Sequence, residues 1–103
     1  MNHEQFQKRN QELIRKMNAD TNFCKETEDW VSHALAYEYH YHFSWLGMPI
    51  IQFPTDIMLM QELIWAVQPD LIVDVGVARG GSVIFYASML ALIGETGKVV
   101  GID

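Results

Sequence analysis

The sequence predicts an α/β chain: a helical N-terminal extension followed by the first strand–helix–strand unit of a doubly wound parallel sheet. Three features predict it. Residues 71–75 form a short apolar, branched run of the kind a parallel strand shows when both its faces are covered. A glycine-rich stretch ending in Gly80, Gly81 and Ser82 follows directly and opens a helical pattern. Residues 99–102 are a second apolar run that ends on Asp103.

Taken in order, residues 2 to about 20 are rich in helix formers, with Phe6, Leu13, Ile14 and Met17 as a sparse apolar stripe on a charged helix. Such a helix needs a partner to lie on. A second helix is expected to start near Thr27, whose hydroxyl can cap a first turn holding Glu28 and Asp29, and to present Trp30, Val31, Ala34 and Leu35 on one side. From Tyr37 to Phe53 aromatic residues dominate, and Gly47 and Pro49 argue against a continuous helix, so this stretch reads as extended or turning.

Pro54, Thr55 and Asp56 supply helix-start chemistry. Ile57, Met60, Ile64 and Val67 then fall on one face, and Pro69 ends the pattern. Ser82 to Ile93 reads as a helix that buries or half-buries Ile84, Phe85, Ser88 and Leu92 and stops at Gly94. After the "GETGK" turn comes the second strand. The expected division is residues 1–53 as a helical and aromatic extension and residues 54–103 as the start of a cofactor-binding domain. A doubly wound sheet needs further strands and helices to cover it, so a longer protein truncated after its second strand is expected.

Composition excludes several functions. The chain has 13 acidic against 7 basic residues and a net charge of −6, which disfavours a phosphate-reading nucleic-acid surface. One cysteine, Cys24, forms no internal disulfide and no zinc spacing. No signal-like segment or long apolar span is present, and a cytoplasmic location without a membrane span is expected.

A loop that passes abruptly from strand to helix aims free backbone N–H groups into the crevice, and its glycines let a ligand approach the backbone. A dinucleotide fingerprint would use Gly76, position 78 and Gly81, but Ala78 places a methyl where the pyrophosphate needs a glycine. A ligand without phosphate, such as S-adenosylmethionine, does not meet that objection. Asp103, about 20 residues beyond the loop, suits the ribose hydroxyls of either class. No lysine follows the loop as a P-loop would require, which excludes that route to ATP.

These residues carry a resemblance. "DLIVDVGVARGGS" with "GKVVGID" resembles motif I and the following acid of class I S-adenosylmethionine-dependent methyltransferases. The upstream block "YHFSWLGMPIIQFPTDIMLMQELIWAVQPD" is similar to the segment before motif I in the cephalosporin hydroxylase family, which includes a cephem methoxylation protein and rhamnosyl O-methyltransferases. The resemblance covers residues 37 to 103. It implies a Rossmann-like methyltransferase fold and a transferase acting on a hydroxyl of a small molecule or sugar.

It also implies site residues. Gly76, Ala78, Gly80 and Gly81 would line the methionine side of S-adenosylmethionine, and Ser82 would hydrogen-bond its carboxylate from the helix start. Asp103 would hold the ribose. Asp74 would orient the loop or reach the ammonium group through water, and the Ile50–Gln52 loop would sit over the cofactor. Arg79 would face solvent or a substrate carboxylate. Mg²⁺ ligands and catalytic groups of the family fall after the second strand, so neither is assigned to a residue of this chain.

Blander roles compete elsewhere. His40 and His42, two apart in an extended segment, would share a side, yet no third metal ligand accompanies them, and packing or subunit contact is the better expectation. The alternating Tyr37, Tyr39, Tyr41, Phe43 and Trp45 fit core or interface better than a substrate pocket. Glu62 is expected in solvent. The remaining alternatives are an NAD-dependent oxidoreductase and a non-catalytic module in which the N-terminal helices and aromatic segment drive assembly, with a homo-oligomer expected.

Overall fold

A computed structural model describes residues 1–94 and 96–103, which form two compact units, Met1–Tyr37 and Glu38–Asp103. Glu95, within the expected connection before the last strand, lies outside the described residues.

The first unit is two helices, α1 (His3–Ala19) and α2 (Thr21–Ala36). Asn2 opens α1 with a capping box: its side chain accepts from the Gln5 amide at 2.8 Å, and the Gln5 side chain accepts from the Asn2 amide at 3.0 Å. Asp20 is the only residue between the helices; its amide donates to Met17 O, and its carboxylate accepts from the Phe23 amide at 3.0 Å. The second helix therefore starts at Thr21, not near Thr27. The Thr27 hydroxyl donates instead to Phe23 O at 2.9 Å, inside the helix, because the acid seven residues earlier is the cap in place.

The second unit begins with a 3₁₀ turn, Tyr39–Tyr41, and a hairpin of β1 (Phe43–Trp45) and β2 (Met48–Ile50). Leu46 and Gly47 form its two-residue turn, both at positive φ (47° and 86°), and Phe43 pairs with Ile50 and Trp45 with Met48. Helix α3 (Pro54–Val67) has Pro54 in its first turn and ends on Gln68 in the left-handed region, whose amide donates to Ile64 O. Ile64 is buried and Ile57 and Met60 pack against the core, whereas Val67 is 69% exposed: it sits in the last turn, past the end of the contact.

Strands β3 (Leu71–Val75) and β4 (Lys98–Ile102) pair in parallel, Asp74 opposite Gly101 and Val75 opposite Ile102, with α4 (Gly81–Ile93) as the crossover. The core is Ile50, Ile64, Phe85, Tyr86 and Leu90, with Ile72 and Val99 packed on it. Burying an aromatic or aliphatic side chain of this size contributes about 1.5–3 kcal/mol each. Leu92 points away at 80% exposure, and Tyr86 and Leu90 take the inward positions expected of it.

Both faces of the sheet were expected to be covered, and one is. Ile72, Asp74, Val99 and Gly101 form the α4 side; Leu71, Val73, Val75, Val100 and Ile102 form the other, each at least 47% exposed. The period of two along each strand separates the sets. The α/β fold class is as the sequence predicts, and the parallel strand pair with its crossover helix is compatible with a partial Rossmann-like fold.

Candidate cofactor site

The site is built where β3 gives way to α4. Gly76 leaves the strand at φ 83°, its amide still donating to Ile102 O at 2.7 Å, so the parallel pairing runs one residue past Val75. Ala78 follows at φ 55° and Gly80 at φ 93°, two left-handed residues that fold the chain back into the helix. Gly80 caps α4 with no side-chain hydrogen bond, so the first-turn amides of α4 have no capping side chain.

Asp74 lies on the α4 side of the sheet, and Ser82, in the first turn of α4, donates its hydroxyl hydrogen to Asp74 Oδ2 at 2.5 Å. That bond ties strand end to helix start across the loop. It also spends the only hydrogen of the Ser82 side chain, which leaves oxygen lone pairs and the backbone amide for any further partner. Tyr86 stands one turn further along α4, 7% exposed. Burial pushes its phenol above the usual value of 10.0, and the nearby negative charge of Asp74 adds to the shift.

The β1–β2 hairpin closes the other side. A methyl at Gly81 would overlap the Pro49 carbonyl and stand 2.8 Å from Ile50 Cα, so glycine alone lets the hairpin backbone lie on the helix. Trp45 Nε1 donates to Ser88 Oγ at 3.2 Å, Ser88 Oγ donates to Ile84 O at 2.7 Å, and the Trp45 ring meets Phe85 edge to face at 4.8 Å. The Gln52 amide donates to His40 O at 3.0 Å, fixing the exit of the hairpin.

Between these walls is a cavity of about 230 Å³, lined by Ile51, Gln52, Asp74, Gly76, Ala78 and Ser82 among others. Five of the expected site residues, Gln52, Asp74, Gly76, Ala78 and Ser82, thus meet around one space. Gly80, Gly81 and Asp103 lie outside its lining; Asp103 follows Ile102 at the end of β4 and is exposed, as is Arg79. Ile50, expected over the cofactor, is instead core at 2% exposure, because it faces α4 while Ile51 and Gln52 turn to the cavity. Pro49 and Tyr86 were not anticipated. Their roles depend on what the hairpin and α4 meet in space, which no local spacing reveals.

The aromatic segment packs on itself. His40 stacks on Phe53 (5.5 Å, 16°), and Tyr39 meets Phe43 edge to face at 5.1 Å. A 3₁₀ turn forms within this segment, read as extended or turning, and places His42 against Tyr39 at 6.1 Å. Among the described residues, no helix is long and apolar enough to cross a membrane.

A parallel strand, a glycine turn into a helix and a cavity at the strand's carboxyl end are the arrangement of a partial Rossmann-like α/β fold. Comparison with known proteins gives the family: residues 37–103 match the rhamnosyl O-methyltransferase/CmcI family model, so this chain belongs to that family of methyltransferases. It is similar to the rhamnosyl O-methyltransferase of Mycobacterium leprae (strain TN), 30% identical over 60 residues that cover 58% of this chain and 26% of that protein. The rhamnosyl O-methyltransferases of Mycobacterium bovis (strain BCG / Pasteur 1173P2) and Mycobacterium tuberculosis (strain ATCC 25177 / H37Ra) are each 28% identical over 81 residues, covering 70% of this chain and 33% of theirs. The matched region therefore spans about a quarter to a third of the length of these curated relatives. No solved structure matches the chain at a significant level.

Proposed function

We propose that this chain is the N-terminal, cofactor-binding part of an S-adenosylmethionine-dependent O-methyltransferase that acts on a hydroxyl of a small molecule or a sugar, of the rhamnosyl type. The observation that carries the proposal is the cavity at the carboxyl end of β3, where an acid, a hydroxyl and the uncapped start of α4 converge beneath the hairpin exit.

The chemistry of the cavity fits the zwitterionic methionine end of such a cofactor. Asp74 keeps one carboxylate oxygen beyond its bond to Ser82, an acceptor for an ammonium group directly or through water. The start of α4, reached through Ser82, offers amide donors and the positive end of the helix dipole to a carboxylate. Because the Ser82 hydroxyl hydrogen is held by Asp74, the contribution of Ser82 to that carboxylate falls to its backbone amide. Gly76 and Ala78 present little beyond backbone, and Gln52 brings a side-chain amide from the facing wall. Asp103 follows the β4 end that pairs beside Gly76, where ribose hydroxyls would be taken.

When bound, the cofactor would supply an electrophilic methyl group to an acceptor hydroxyl that gives up its proton, with S-adenosylhomocysteine as the leaving group. Gln52, Asp74, Gly76, Ala78 and Ser82 would hold and orient the donor. Neither deprotonation of the acceptor nor binding of Mg²⁺ is assigned to a residue described in this structure.

Calorimetric titration with S-adenosylmethionine, S-adenosylhomocysteine and NAD, beside Asp74→Asn and Asp103→Ala, tests the reading. Binding of the adenosyl pair, weakened in both variants, is expected. Binding of NAD alone, or of none of the three, would overturn it, and binding without methyl transfer to any hydroxyl acceptor would leave a cofactor-binding assembly module.

A further inference from the structure

We infer that Val77 and Gly101 are a matched pair that sets the position of the cofactor loop: Val77 is a positioning residue for Gly76 and Ala78, and Gly101 is the notch that receives it. The inference rests on the cofactor reading for its consequence and on packing alone for its geometry. It starts from a glycine that the backbone does not require. Gly101 lies inside β4, paired opposite Asp74, and is not among the residues at positive φ. In such a place glycine weakens a strand and offers no side chain to pack, so it marks a close approach by another part of the chain.

What approaches is the loop. A methyl at Gly101 would stand 2.7 Å from Val77 Cγ2 and 3.1 Å from Val83 Cγ2, well inside the roughly 3.5–4.0 Å at which carbon atoms meet. A valine of the loop and a valine in the first turn of α4 thus both rest over the bare backbone of β4. Neither steps aside easily. A β-branched side chain has a single, stiff torsion and carries its methyls close to the main chain, so a push on Val77 Cγ2 passes to the loop backbone.

From Val77 the push reaches the site by three routes. Gly76 and Ala78, its neighbours at φ 83° and 55°, line the same cavity as Val77 itself. The Val77 carbonyl accepts from the Gly80 amide at 3.1 Å and so holds the residue that caps α4. The Gly76 amide donates to Ile102 O at 2.7 Å, one residue beyond Gly101, and this bond roots the loop on β4. A side chain at position 101 would therefore displace the loop between Asp74 and Ser82, the two groups that bracket the cavity.

The test is a double-mutant cycle on the full chain: Gly101→Ala, Val77→Ala and the two combined, with circular dichroism checking each fold. One readout is calorimetric affinity for S-adenosylhomocysteine. The other is hydrogen exchange of the Gly76 amide by NMR, which needs no ligand. Gly101→Ala is expected to weaken binding about tenfold or more and to speed exchange at Gly76 by a similar factor, the effect of overpacking a filled site. In the combined variant, the methyls lost from Val77 make room for the methyl gained at position 101. Both readouts are then expected to return to within about threefold of the native chain, whereas two independent packing faults would add. Native affinity or native exchange in Gly101→Ala, or a combined variant no better than Gly101→Ala, would overturn the inference. If Gly101→Ala does not fold, the combined variant decides: folding restored supports the pairing, and folding still lost overturns it. A native chain that binds neither S-adenosylmethionine nor S-adenosylhomocysteine sinks the cofactor reading, and the exchange arm then decides the pairing alone.

Discussion

Ser82 Oγ and Asp74 Oδ2 stand 2.5 Å apart, a hydroxyl in the first turn of α4 donating to a carboxylate one residue from the end of β3. The pair spans the whole glycine turn and holds strand end and helix start in one geometry. Ser82→Ala leaves a half-buried carboxylate without that donor and is expected to cost about 1–2 kcal/mol of stability. Asp74→Asn keeps the shape and removes the charge: unfolding should change little, while calorimetry should show S-adenosylmethionine binding about tenfold or more weaker.

Gly81 is fixed by a neighbour from another element. An alanine methyl there would run into the Pro49 carbonyl, and backbone on both sides has nowhere to go. Gly81→Ala is expected to destabilise by about 2–3 kcal/mol in denaturant unfolding. An unfolding midpoint unchanged from the native chain would show that the hairpin does not lie on α4 in solution.

Ala78 makes the opposite prediction. At φ 55° its side chain opposes a backbone conformation that costs an L-residue about 1–2 kcal/mol, while glycine adds about 0.4–1 kcal/mol of unfolded-chain entropy. Ala78→Gly should therefore stabilise by roughly 0.5–1 kcal/mol, seen as a higher melting temperature.

Trp45 holds the hairpin through two separable contacts. Trp45→Phe keeps an aromatic ring against Phe85 and loses the indole N–H to Ser88. A loss of about 1 kcal/mol is expected for the hydrogen bond. Because the same hairpin carries Gln52 to the cavity, cofactor affinity measured on the folded variant should fall as well.

Tyr86 gives the alkaline limit. Its phenol is pushed above 10.0 by burial first and by Asp74 second, so the folded chain keeps the proton when the unfolded chain begins to lose it. Its contribution is complete below pH 10 and drains away as pH rises toward the higher folded value. Urea midpoints at about pH 9 and 11 should fall less in Tyr86→Phe than in the native chain.

The β3–turn–α4–β4 unit was legible because its signals are local. Apolar runs, glycines at the turn and an acid after the second strand each act within a few residues, and five of the eight expected site residues do meet at one cavity. The hairpin was hidden for a physical reason: its turn places Leu46, a residue that ordinarily avoids positive φ, where Asn or Asp would have announced it. The start of α2 was missed because two competent caps, Asp20 and Thr27, lie on one stretch, and only the helix that forms decides between them. Leu92 and Val67 were misplaced because periodicity says which residues share a face, while the length of the neighbouring element says how far that face is used.

The seating of Pro49 on Gly81 has a consequence for inheritance. Segments 43–50 and 76–82 are far apart along the gene, but neither can be exchanged alone, since the donor of one must match the backbone of the other. Recombinants between members of this family that break anywhere from residue 51 to 75 should yield working chimaeras only when both parents carry glycine at the helix start. Among natural relatives, drift in the hairpin and in the first turn of α4 should then be correlated, with the two stretches changing as one hereditary block.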